Sequence, residues 1–129
     1  MKFTQQHASG INLIRRYGAD FIAIGEQEIR ESCLVTANSI ESWAPRSVDE
    51  LHVEQLAALF ALAPEVVVLS TGAKQQFPRA ALRAEFATRR IGLEVMEIGA
   101  ACRTYNVLVG EERRVLAAVL LPGPPKGPE

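Results

Sequence analysis

The chain has 129 residues, of which 48% are hydrophobic, 22% charged and 6% aromatic, which suits one domain of ordinary size and excludes a wholly disordered protein. A domain of this length buries roughly two-thirds of its unfolded surface and needs no metal or disulfide staple. Fourteen basic against fifteen acidic residues give a net charge of −1, which disfavours nucleic-acid or anionic-lipid binding through a basic face.

Residues 1–10 read as a flexible lead. The opening Met1–His7 is polar and lacks the apolar stretch of a secretory signal, so a cytoplasmic location is expected. Ile11–Tyr17 and Phe21–Ile24 flank the turn residues Gly18 and Asp20 and predict a short hairpin. After the turn Gly25–Gln27, Ile29–Thr36 is expected as one strand. Ile40–Ala44 then forms a short strand ending at Pro45. Ser47 and Glu50 fit a capping box, followed by a helix whose stripe is Val53, Leu56, Ala57 and Phe60, stopping before Pro64.

Val66–Leu69 is a β-branched run suited to a strand covered on both faces. The loop Ser70–Lys74 leaves it, and Pro78 opens a second helix with Leu82 and Phe86 inward. Leu93–Ile98 reads as a strand. A third helix follows to Val109, with Ala101, Tyr105 and Leu108 on one face and Gly110 as its C-cap. Val115–Leu121 is the last strand, and residues 122–129 are too rich in proline and glycine to pack, predicting a disordered tail. The domain therefore spans 11–121: a single α/β domain, a sandwich on a central mixed sheet, with a β-rich first half and a βαβαβ second half. No apolar run is long enough to cross a bilayer, so no direct membrane insertion is expected.

Two regions carry candidate chemistry. Ser70, Thr71, Gly72 and Lys74 leave the C-terminal end of a buried strand, where open α/β sheets hold ligands, although the P-loop and dinucleotide glycine patterns are absent. Cys102, at the start of the third helix beside Arg103, has the setting of an activated thiol but no assured base, since the only histidines are His7 and His52; a small buried core residue is the plainer reading. Arg103, Thr104 and Asn106 complete the candidate ligand set. At least one of Arg103 and Arg113 is expected to be tied to a carboxylate or a backbone carbonyl. Two cysteines and two scattered histidines nominate no metal site, no cofactor motif is present, and both thiols are expected free. The pairs Arg15-Arg16, Arg89-Arg90 and Arg113-Arg114 read as solvated faces with local ion pairs, and Trp43 as an aromatic at the core rim.

From Gly92 to Ala118 the chain reads as a V-E-x-M-like strand, a helix A-x-R-T-[FY]-N-x-L, then E-x-R and an alanine-rich strand ending in proline. Glu94, Met96, Ala101, Arg103, Thr104, Tyr105, Asn106, Leu108, Glu111, Arg113 and Pro122 carry this pattern, with Tyr17, Phe21, Ile24, Trp43 and Thr71-Gly72 upstream. The chain thereby resembles an uncharacterised-domain family that includes the mitochondrial complex I assembly factor three and the adipogenesis-associated domain protein. The resemblance implies a three-layer α/β fold, no established enzymatic activity, and a non-enzymatic role in binding other proteins, membrane-complex subunits among them. Ser70 and Ile98-Gly99 depart from the family pattern beside the candidate pocket. The alternative is a small-molecule-binding protein or enzyme using a pocket near Ser70–Lys74 and Cys102–Asn106. Homo-oligomer formation is compatible with either.

Overall fold

The computed structural model describes residues 10–124, among which are eight strands and three α-helices. The lead expected over 1–10 and the tail expected over 122–129 lie, except for residues 10 and 122–124, outside the described residues. Strands β1 (Ile14–Gly18), β2 (Phe21–Ile24) and β3 (Gln27–Ile29) form a small antiparallel sheet. The central sheet has the order β5-β4-β8-β6-β7, from β4 (Glu31–Thr36), β5 (Ser39–Ser42), β6 (Val66–Ser70), β7 (Gly92–Met96) and β8 (Val115–Pro122). It is mixed: β4 pairs antiparallel with β5 and β8, whereas β6 runs parallel to β7 and β8.

Alternation along the central strands sorts the core into two layers. Val115, Ala117, Val119 and Leu121 of β8 join Val66, Val68, Cys33 and Val35 beneath the small sheet and α3 (Ile98–Gly110). Leu116, Ala118 and Leu120 join Val67, Leu69 and Leu34 on the other face, under α1 (Leu56–Phe60) and α2 (Ala80–Thr88). Strands β6 and β8 are apolar apart from Ser70 because both their faces are covered, as parallel strands in α/β layers require. The result is the expected α/β sandwich on a central mixed sheet.

Several local expectations change. Ile29–Thr36 is not one strand: β3 ends at Ile29 and β4 starts at Glu31, so the chain passes from the small sheet to the central one at Arg30. Ser47 makes no capping bond. Glu50 accepts from the Arg46 amide (3.0 Å) instead, and the working box is His52 with Gln55. Two 3-10 turns, Val48–Glu50 and Val53–Gln55, precede α1 and rotate its register, so Leu56 and Leu59 face the core while Val53 and Ala57 are exposed. Trp43 is buried and donates its indole N–H to the Gln55 carbonyl (3.1 Å).

Gly110 lies inside α3 and does not cap it. The left-handed position after each helix falls instead on a residue with a side chain: Ala63 (φ 53°), Arg90 (φ 57°) and Glu112 (φ 62°). The Ile91 amide closes on Phe86 (3.0 Å) and the Arg113 amide on Leu108 (3.2 Å), bonds that satisfy final-turn carbonyls. The arginine pairs behave as solvated faces: Arg16 meets Glu28 at 3.3 Å, Arg89 meets Glu85 at 2.9 Å and Arg113 meets Glu65 at 3.4 Å.

Candidate functional site

The structure brings the two candidate regions together at the C-terminal ends of β6 and β7. Thr71 donates its amide to the Met96 carbonyl (2.9 Å), and Ile98 donates its amide to the Gly72 carbonyl (2.8 Å). Gly72 takes φ +96°, a conformation that favours glycine. The Thr71 hydroxyl organises the loop: it donates to the Lys74 carbonyl (2.6 Å) and accepts from the Gln76 amide (3.1 Å). The Lys74 side chain is exposed. Ser70 is fully buried on the α3 side of the sheet, and its Oγ has no hydrogen-bond partner among the described residues.

The N-terminus of α3 is closed. Glu97 is its N-cap, and its carboxylate accepts from the amides of Gly99 (3.1 Å) and Ala100 (2.5 Å). With Ile98 bonded to Gly72 and the Ala101 amide to the Glu97 carbonyl (2.9 Å), all four first-turn donors have partners within the chain. These are the groups that would hold an anion, and none is left over. A side chain at position 99 would crowd the cap: an added Cβ would sit 2.8 Å from Glu97 Oε1 and 3.1 Å from the Tyr17 hydroxyl, and these side-chain ends would have to shift.

Cys102 lies past this first turn and is buried. Burial pushes its thiol up to about 12, with the Glu97 charge adding and Arg103 opposing. Cys33 is likewise buried and raised to about 12, chiefly by desolvation. Both thiols are free. Neutral, enclosed thiols are poor nucleophiles, so the desolvation here outweighs any gain from the helix dipole.

The remaining candidates join α3 to its neighbours. Asn106 binds β1 as another strand would, donating Nδ2 to the Ile14 carbonyl and accepting the Ile14 amide on Oδ1, both at 2.9 Å. Thr104 donates to the Met96 sulfur (3.3 Å). Arg103 is exposed and donates to the Tyr17 hydroxyl (2.7 Å), so of the two arginines it is Arg113 that meets a carboxylate. A further joint lies outside the candidate set and has no local signal in the sequence: the Tyr105 hydroxyl is buried and donates to the Asn12 carbonyl (2.8 Å), while Asn12 Nδ2 reaches the Thr36 carbonyl (3.0 Å). A cleft of about 710 Å³ lies at the other end of the parallel strands, between the turns at Asn38, Pro64 and Glu112.

Comparison with known proteins gives the family and the fold. Residues 14–120 match the family described as protein of unknown function (DUF498/DUF598). The chain is 34% identical over 125 residues to NADH dehydrogenase [ubiquinone] 1 alpha subcomplex assembly factor 3 of Danio rerio, covering 95% of this chain and 71% of that protein. The protein of the same name from Xenopus tropicalis is 29% identical over 84% of this chain, which spans only 60% of its length. The NMR structure of a Xanthomonas campestris protein, XCC1710, superposes with a TM-score of 0.83 at 35% identity, covering 100% of this chain and 98% of that one. The chain belongs to the DUF498/DUF598 family.

Proposed function

We propose that this family member is a non-enzymatic protein-binding domain that assists the assembly of a respiratory membrane complex of the NADH dehydrogenase type. The observation that carries the reading is its 34% identity, over 95% of the chain, to a protein named as an assembly factor for that enzyme. The geometry around α3 supports it. Thr71, Arg103, Thr104 and Asn106 of the candidate set are engaged with neighbouring parts of the chain. A small-molecule or enzymatic role for Ser70–Lys74 and Cys102–Asn106 has less support, because the amides of the α3 first turn are already satisfied and both thiols are buried.

The test is removal of the gene from a host that makes an NADH dehydrogenase of this type. Fully assembled enzyme, read on native gels, falls severalfold and returns with the reintroduced gene. Unchanged assembled enzyme in the deletion strain overturns the proposal. A thermal-shift screen of the purified protein against nucleotides and metabolites checks the small-molecule alternative, for which the expected result is no shift.

A further inference from the structure

Strand β7 is an edge of the central sheet and is paired only with β6. The Gly92 amide donates to the Glu65 carbonyl (3.0 Å) and the Met96 carbonyl accepts from the Thr71 amide (2.9 Å), so these residues direct their backbone groups towards β6. Alternation then turns the N–H and C=O of Leu93 and Val95 away from the sheet. Leu93 and Val95 are only half-buried, and Phe77 beside them, at 64% exposure, is the most open of the large apolar side chains among the described residues. The strand, GLEVM, has no proline or lysine, and its register with β6 is unbroken. The same edge of a second copy is a natural partner for such a strand, because pairing satisfies the free backbone groups and covers the apolar side chains together.

Two side chains stand against that pairing. Gln75 Nε2 donates to the Val95 carbonyl (2.9 Å), on the side where a sixth strand would lie. Its neighbours fix it there: the Thr71 hydroxyl donates to the Lys74 carbonyl (2.6 Å) and accepts from the Gln76 amide (3.1 Å). The Leu93 amide and carbonyl and the Val95 amide have no partner among the described residues. The second side chain is Glu94, which is exposed. In a two-fold antiparallel pairing that overlaps the whole strand, Leu93 meets Val95 of the other copy and Glu94 meets its own image. That central pair is not hydrogen-bonded, its Cα atoms are roughly 4.5 Å apart, and like charges placed there oppose pairing. Slipping the register gives no escape. A pairing centred on Val95 needs the carbonyl that Gln75 holds, and one centred on Leu93 sets Val95 opposite Ile91, whose amide is already bonded to the Phe86 carbonyl (3.0 Å).

We infer that Gln75 and Glu94 guard the edge of β7 and keep two copies of this chain from joining through it. Gln75 takes the acceptor that every register using the Val95 carbonyl requires, and Glu94 sets charge against charge in the register with the most bonds. The loop from Thr71 to Gln76 is on this account a strap across the sheet edge, and the Thr71 hydroxyl serves the strap. The inference is independent of the assembly role, since it concerns only contact between copies of one chain.

The test compares the full chain with Gln75→Ala, Glu94→Gln and the double variant by sedimentation velocity from micromolar to millimolar concentration, with amide exchange followed on the same samples. The double variant self-associates about tenfold more tightly than the parent, and the single variants fall between. Added salt tightens the association of Gln75→Ala, which keeps the glutamate, more than that of the double variant. In the associated protein the Leu93 and Val95 amides exchange more slowly, while those of β5, at the other edge of the central sheet, keep their rates. If Gln75→Ala does not fold, Gln75→Ser takes its place. A double variant that associates no more tightly than the parent overturns the inference. So does association without slowed exchange at Leu93 and Val95, or a parent whose Leu93 and Val95 amides are already protected by self-association at micromolar concentration.

Discussion

Strands β1 and β7 are both sheet edges, and the chain treats them in opposite ways. At β1 the outward amide and carbonyl of Ile14 are both taken by the side chain of Asn106, so the helix completes the sheet as a strand would. At β7 one carbonyl meets Gln75 and the rest of the outward backbone around Leu93 is left without partners among the described residues. The polar residues that look most like a binding site therefore close the molecule, while the open surface is made of backbone and half-covered apolar side chains. Rich side-chain chemistry marks an internal joint at α3, whereas β7 keeps outward backbone groups without partners among the described residues.

The contrast is broken most directly at Asn106. Asn106→Ala leaves the part-buried Ile14 amide and carbonyl unsatisfied, and the expected loss is about 3 kcal/mol, read as a lower urea midpoint. A ligand-site role would leave stability unchanged. The adjoining Arg103→Ala serves as the control: its bond to Tyr17 is exposed, and the midpoint moves by less than about 0.5 kcal/mol.

The second break is alkaline. Cys33 and Cys102 have folded-state values near 12 against 9.0 for an ordinary thiol, so above pH 9 the folded chain binds more protons than the unfolded one. Stability is therefore fully present below pH 9 and falls as pH rises towards 12, by at most about 1.4 kcal/mol per thiol over the first unit. Urea melts between pH 8 and 10 check the slope, and a Cys33→Ala, Cys102→Ala protein shows a shallower one. In the folded protein at pH 8 a thiol reagent labels neither cysteine.

Two smaller effects sharpen the picture of α3. Glu97→Ala removes the cap from Gly99 and Ala100 and costs about 1 kcal/mol by thermal melting, the ordinary value of an N-cap. At the other end, Glu112→Gly relieves a left-handed residue and raises stability by about 0.5 kcal/mol, a gain read in the same melt. A fall on Glu112→Gly would mean that the glutamate side chain holds the turn.

Legibility in the sequence followed burial. Val66–Leu69 and Val115–Leu121 announce strands covered on both faces, and Leu82 with Phe86 marks the inward side of α2, because each pattern reports a local environment repeated over several residues. The region before α1 was misread for a local reason of another kind: two 3-10 turns have a different period from the α-helix, and the stripe drawn through Val53 and Ala57 slips off the core. Phe77 belongs to no stripe, sitting between two glutamines and a proline, and that isolation was the one trace of the open edge that the sequence carried.

The amino-acid sequence by itself determined the layers: which strands lie inside, which helix faces turn inward, and that Arg103, Thr104 and Asn106 share a region of α3. Which partners those residues take within the chain was set only by tertiary structure. Asn106 and its partner Ile14 are 92 residues apart, and Tyr105 is 93 from Asn12. A hydrogen bond at that separation exists only once the sheets have assembled, because the geometry of donor and acceptor is set by packing and not by the residues on either side. The same holds for the free edge of β7, since a strand is an edge only when the order of all five strands is settled.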